Sequence, residues 1–310
     1  SLLSVLYIVR QQSEASVKPE VFYKYTNPST AEIILGSGRL RWSSPSIFND
    51  LAEFQRMPRF EPTVSDSHKL FSQALIDIAG GRRTADLARL APTTWMLLNY
   101  IQQSLMDGVS EEALLELLGN FANPQADEKI EQALREHFDS LDIRTARVLC
   151  LTATSHNDVM WGTYAENHSG CAFGFSAALP ESPFHEAKPV IYTEKRAVAG
   201  TGLDFLLYGN TQSLRQKALE AVCYTKKTVW SYEQEWRLIT WRPNEIDVLH
   251  GDYIFYPEEL NSIIFGARAK PDFVESICAI AEQKYPMANI LKITHDKGGI
   301  ERSQFCLTGQ

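Results

Sequence analysis

Between Trp230 and Trp241 the chain reads Trp-Ser-Tyr-Glu-Gln-Glu-Trp-Arg-Leu-Ile-Thr-Trp. Aromatic and branched residues at this density favour a β-strand, and successive side chains of a strand take opposite faces. One face then carries Trp230, Tyr232, Gln234, Trp236 and Leu238, and the other Glu233, Glu235, Arg237, Ile239 and Trp241. The apolar face needs a core to bury it. The opposite face sets two carboxylates beside a guanidinium. Paired acids on a stiff strand suit acid/base or cation-stabilising chemistry. A solvated face on which Arg237 neutralises its neighbours fits the same pattern.

A chain of 310 residues can bury a full core, in one large domain or two ordinary ones. Its hydrophobic share of 44% and charged share of 22% are those of a globular protein. A net charge of −8 argues against a broad electrostatic grip on nucleic acid or an anionic membrane. Cys150, Cys171, Cys223, Cys278 and Cys306 are widely spaced and form no C-x-x-C pair, so neither a disulfide framework nor a zinc knuckle is expected. That usage fits a reducing cytoplasm. The run Leu2–Val9 is too short to span a bilayer and lacks a basic flank and a small-residue cleavage site, so no signal peptide and no membrane partner are expected.

Along the chain, Val21–Tyr25 and Arg39–Trp42 read as strands around a helix that Asn27 caps, Pro28 starts and Gly36-Ser-Gly38 ends. From about 66 to 140 the apolar period becomes helical. Strand character returns at Ala146–Thr152, Cys171–Phe175 and Pro189–Tyr192, with a short helix over Asn157–Asn167 and another over Leu214–Cys223. A strand at Ser262–Gly266, a helix over Asp272–Lys284 and a strand at Asn289–Thr294 form a βαβ-like unit. The expected fold is α+β, a mixed or antiparallel sheet interrupted by a helical insertion. The expected divisions are an N-terminal segment (1–20), a core domain (21–62 and 145–310) and the insertion (63–144).

Several groups could line a site. Lys24 lies between Tyr23 and Tyr25 on a strand, so it points away from them; it meets a phosphate there or is solvated. The Ser43–Asp50 loop, with Ser43, Ser44, Phe48, Asn49 and Asp50, is dense in hydroxyl, amide and acid groups that suit a ribose, a phosphate or a self-capped turn. Trp161, Tyr164, Ala165 and His168 recur at helical offsets and share a face that could stack an aromatic ring or simply be buried. Lys226-Lys227 reads as a solvated turn. Metal-binding, Walker A, G-x-G-x-x-G and G-x-S-x-G motifs are absent, so no metal is expected.

With these residues in place, the chain resembles the bacterial family known as domain of unknown function 2971. The blocks that carry the likeness are Phe22–Tyr25, Leu40–Asp50, Met160–Gly170 and Trp230–Leu238, with a weaker echo at Ile264–Arg268. The resemblance implies a bacterial cytoplasmic protein, with phage defence among its open roles, and names no reaction. More distantly, the order of an aromatic-basic strand, a strand ending in Ser-Ser and a late Glu-x-Glu is similar to ADP-ribosyltransferases. That likeness implies Glu235 as the catalytic carboxylate, Glu233 as its partner, Ser43 and Ser44 as pocket supports and NAD as substrate. Lys24 would stand where such enzymes place an Arg or His, and a protein or nucleic acid would be the acceptor. The small nucleotide-like ligand would meet Tyr23, Lys24, Tyr25, Ser43, Ser44, Phe48, Asn49, Asp50, Trp161, Tyr164, His168 and Arg237. Three functions stay open: an NAD-dependent ADP-ribosyl transferase or glycohydrolase, a non-catalytic ligand- or protein-sensing module of a defence system, and a metal-dependent nuclease using Asp50, Glu233 and Glu235.

Overall fold

The first helix shows how local chemistry sets the elements. Asn27 accepts the N–H of Thr30 at 2.8 Å, Pro28 occupies the first turn, and Gly38, at φ 64°, closes the helix by donating to the carbonyl of Ile34. The computed structural model describes residues 18–119, 125–296 and 299–304; the Leu2–Val9 run and Cys306 lie outside them. In chain order the helices are α1 (Pro28–Ser37), α2 (His68–Ala79), α3 (Pro92–Met106), α4 (Glu111–Gly119), α5 (Ala126–Ser140), α6 (Asp158–Tyr164), α7 (Gly202–Tyr208), α8 (Gln212–Cys223) and α9 (Pro271–Lys284). The strands are β1 (Val21–Thr26), β2 (Arg39–Ser43), β3 (Arg59–Phe60), β4 (Ala146–Thr152), β5 (Cys171–Ser176), β6 (Lys188–Pro189), β7 (Ile191–Tyr192), β8 (Val198–Gly200), β9 (Thr225–Lys226), β10 (Glu235–Trp241), β11 (His250–Ile254), β12 (Leu260–Phe265), β13 (Asn289–Asp296) and β14 (Gly299–Gln304). The fold is α+β with a sheet core, as the sequence predicts.

The chain divides into two compact units, one of residues 1–48, 144–192 and 226–310, the other of 49–143 and 193–225. The first holds the large sheet, in the order β11-β2-β4-β1-β5-β12-β13-β14, with β10 on β4 and β6 on β10. Its pairings are antiparallel except β12–β13, which run parallel across α9. This is the βαβ unit read from the sequence. Along one edge β4 pairs with β10 from Glu235↔Thr152 to Trp241↔Ala146. Its other edge meets β1 at Tyr23↔Thr152 and β2 at Ser43↔Val148. Between those two points Lys24 Nζ donates to the carbonyl of Cys150 at 3.0 Å, so a side chain supplies a hydrogen bond where two strands share one neighbour.

Alternation gives the sheet two apolar faces. Phe22, Leu149, Leu151, Phe173, Phe175, Trp236 and Leu238 pack with Ile34 and Leu35 of α1 and Ile277 and Cys278 of α9. On the other face Tyr25, Ala172 and Ile264 pack with Met160 and Trp161 of α6. The second unit has its own core, in which α2 supplies Leu75 and Ile76, α3 Leu98 and Ile101, α4 Leu114 and α7 Leu207. The helical period read over 66–140 resolves into α2 to α5.

Two local expectations are corrected. The strand expected over Trp230–Trp241 begins only at Glu235; Thr228–Glu233 is a 3-10 turn, and Gln234 at φ 44° reverses the backbone between them. The two-face pattern therefore holds from Glu235 onward and not for Trp230 to Gln234. The helix expected over Asn157–Asn167 ends at Tyr164, and Glu166, Asn167 and His168 take φ of 48°, 53° and 69°. His168 thus leaves the helical face it was expected to share. This tight turn lies close to neighbouring backbone: a Cβ on Gly170 would overlap the Thr26 carbonyl, and one on Gly266 the His168 carbonyl. Gly170→Ala is expected to lower stability by about 1–3 kcal/mol, measured by urea unfolding. Gly36→Ala, with open space around its Cβ, serves as the control.

Candidate functional site

At the start of β10 two carboxylates are buried together. Glu233, Glu235 and Lys226 are each 4% exposed and Arg237 is fully buried. Glu233 comes from the 3-10 turn and Glu235 from the first position of β10, and both reach Lys226, at 2.6 and 3.2 Å. Arg237, two residues on and so on the same strand face, clasps Glu235 with Nε at 2.7 Å and Nη2 at 3.0 Å. The second oxygen of Glu233 accepts from the Tyr164 hydroxyl at 2.7 Å. Two negative and two positive groups close on one another, which is the condition for burying charge at tolerable cost.

The surrounding groups are aromatic. The Lys226 ammonium lies 4.9 Å from the centre of the Trp230 ring. The Tyr192 hydroxyl accepts the backbone N–H of Glu235 at 2.8 Å. Asn157, the cap of α6, donates to the carbonyl of Tyr232 at 2.6 Å and accepts from Val159 and Met160, so one side chain joins the helix start to the 3-10 turn. Tyr164, Tyr192, Trp230 and Tyr232 are half-buried and form a rim around the charge cluster.

Burial alone would lower the Lys226 ammonium; the carboxylates of Glu235 and Glu233 outweigh it and hold its pKa above the ordinary lysine value. Burial pushes the Glu235 carboxyl up, and Lys226 and a hydrogen bond from the Cys150 thiol pull against it. The Cys150 thiol is itself pushed well up, first by burial and then by Glu235, so it stays protonated at neutral pH.

Of the other residues singled out in the sequence, Tyr23, Tyr25 and Trp161 belong to the apolar cluster against which Tyr164 and Tyr232 also pack. Tyr25 bonds the Thr154 carbonyl at 3.1 Å and meets Trp161 edge-on at 4.9 Å. Trp161 is fully buried, its indole N–H on the Ser155 carbonyl at 2.9 Å, and His168 stacks beside it at 6.2 Å. Tyr23 packs against the same cluster. Ser43 ends β2, and the fully buried Ser44 caps the short turn Pro45–Ile47. Phe48 is half-buried. Asn49 and Asp50 belong to the second unit, where Asp50 caps its own turn through Ala52 N–H at 3.0 Å. Lys226 corrects the expectation of a solvated Lys226-Lys227 turn, because the ammonium is enclosed by the two acids. The sequence pattern does not mark Tyr192 or Cys150 as site residues. Among the described residues no group of three or more His, Cys, Asp and Glu side chains is placed to hold a metal ion. No helix of the described residues is long and apolar enough to cross a membrane.

These features define an α+β protein with a buried charge cluster under an aromatic rim. A family model described as "Protein of unknown function (DUF2971)" matches residues 160–238. The matched span holds α6 from Met160 on, Lys226, Glu233, Glu235 and Arg237, and does not include the Phe22–Tyr25 and Leu40–Asp50 blocks. No curated protein and no solved structure matches the chain. The likeness to ADP-ribosyltransferases therefore rests on the residue pattern alone.

Lys226→Met removes the cation common to both acids and is expected to cost about 3–5 kcal/mol in urea unfolding. Adding Glu233→Gln should recover part of that loss. Because the folded pKa of Lys226 is raised, its contribution is complete below the ordinary lysine pKa of about 10.4 and fades as pH rises through the folded value. Stability measured from pH 7 to 10 should therefore show no loss traceable to this group.

Proposed function

We propose that this chain is a non-catalytic sensing module that takes a nucleotide-like ligand, or an aromatic part of a protein partner, on the rim formed by Tyr164, Tyr192, Trp230 and Tyr232. The observation that carries this reading is the pairing of Glu233 and Glu235 with Lys226, Arg237 and Tyr164. A carboxylate clasped by a guanidinium and an ammonium has to break those bonds before it can stabilise a developing cation. Half-buried aromatic rings, by contrast, are ready to stack a base with little reordering. A cytoplasmic role in phage defence belongs to this reading as the likeness to the family implies it.

The convergence of two acids on one cation favours a second reading, NAD-dependent ADP-ribosyl transfer or NAD hydrolysis. Here Arg237 would turn aside and Glu235 would stabilise the oxocarbenium ion as nicotinamide leaves, with Glu233 orienting a protein, nucleic-acid or water acceptor.

One set of measurements separates the two. NAD, AMP and ATP are titrated into the protein by calorimetry, and NAD is followed by chromatography over hours. The sensing module predicts saturable binding of at least one nucleotide, weakened about tenfold or more by Trp230→Ala, with NAD left intact. NAD consumption that Glu235→Gln abolishes, while the variant unfolds with the same cooperativity, would replace it with the enzyme. Absence of binding by all three nucleotides would reject the nucleotide ligand.

A further inference from the structure

The second unit contains a cavity that the charge cluster does not involve. Leu134, Phe138 and Leu141 recur every three or four residues along α5 and just beyond it, and Leu219 and Val222 do so along α8. These two apolar stripes line a cavity of about 270 Å³, with Met57 and Pro58 completing the wall. An apolar cavity of about 150 Å³ takes up benzene, so this one has room for more than a single ring.

Its walls are fixed by hydrogen bonds. Arg196 donates to the carbonyls of Met57 at 2.9 Å and Pro58 at 3.0 Å, and pairs with Glu131 of α5 at 2.7 Å. One guanidinium thus ties the 57–58 wall to the helix opposite. The start of α5 is held by Asp127, which accepts the N–H groups of Val64 at 2.8 Å and Ser65 at 3.2 Å. These bonds fix the 57–58 segment and the start of α5 beside the cavity.

Among the described residues the charge in the lining comes from Arg215. His137 and Arg215 are exposed at the cavity, Gln212 and Gln216 lie beside Arg215, and among the described residues no carboxylate lines it. Arg215 spends Nη1 on the Asn210 carbonyl at 2.7 Å, which fixes the guanidinium in place with further donors on its fork. An apolar cleft with a few placed polar groups is the usual form of a small-molecule site. We propose that this cavity binds an apolar carboxylate, a chain or ring of roughly eight to ten carbons. Its hydrocarbon would lie among Leu134, Phe138, Leu219 and Val222 and its anionic end would sit at Arg215 and His137.

The test titrates the full chain with decanoate and, separately, with decanol, each below its aggregation concentration, by isothermal titration calorimetry. Decanoate should bind saturably at one site per chain and about tenfold more tightly than decanol. Arg215→Gln should remove that difference. Leu219→Trp, which fills the cavity, should weaken decanoate binding about tenfold or more while leaving the circular dichroism and Tm of the wild type. Leu134→Trp fills the same space from the opposite helix and replaces that variant if α8 does not accept the indole. No saturable decanoate binding, equal binding of decanol, or undiminished binding in the Trp variants overturns the proposal. None of these outcomes bears on the aromatic rim.

Discussion

One ammonium group shared by two buried carboxylates conditions the rest of the first unit. Glu233 and Glu235 approach Lys226 from a turn and from a strand, and Arg237 balances the second negative charge. Buried charges of this kind add little net stability compared with apolar residues of equal volume, because desolvation consumes most of the attraction. Their effect is on pairing. A one-residue slip of β10 along β4 would turn Glu235 and Arg237 into the core beside Leu149 and Leu151 and bring Trp236 out of it. The cluster and the apolar face therefore enforce the same register from opposite sides of one strand.

The sheet is organised around β4 in a second sense. One edge carries a full-length partner and the other is divided between β1 and β2. Lys24 fills the interval by bonding the Cys150 carbonyl, while the Cys150 thiol bonds Glu235. Cys150 is the point where the divided edge and the charge cluster meet. Two lysines far apart in the chain serve the same short stretch of β4, one through backbone and one through the acids beside it.

Much of this architecture was legible in the sequence. Asn27, Pro28 and Gly38 mark the limits of α1 through chemistry confined to a few neighbouring residues. The apolar run Ala146–Thr152 gives β4 to the residue, and Ser262–Gly266 with Asn289–Thr294 gives the parallel pair across α9 to within two positions at each end. The failures share a cause. Trp230 to Glu233 have the composition of a strand, yet Gln234 adopts a left-handed conformation that no propensity of Trp, Tyr or Glu announces. Lys226 beside Lys227 has the composition of a wet turn. Its burial depends on partners seven and nine residues later, which face it only after the chain has folded back. Trp161 and Tyr164 lie within α6 as expected, but the three left-handed residues that follow carry His168 off the helix axis. Local pattern reports the regular elements; it does not report where a backbone reversal brings distant side chains together.

The residue at that reversal differs from its neighbours. The Gln234 side chain is exposed and its backbone does the bonding, donating to Ser231 and accepting from Ala153. Glycine and asparagine occupy such a conformation readily, whereas valine, isoleucine and threonine clash in it. In a segment crowded with ionic and aromatic groups, a restriction on permitted residues thus falls also on a position whose side chain is exposed. There the alphabet is limited by the handedness of L-amino acids rather than by charge, size or polarity.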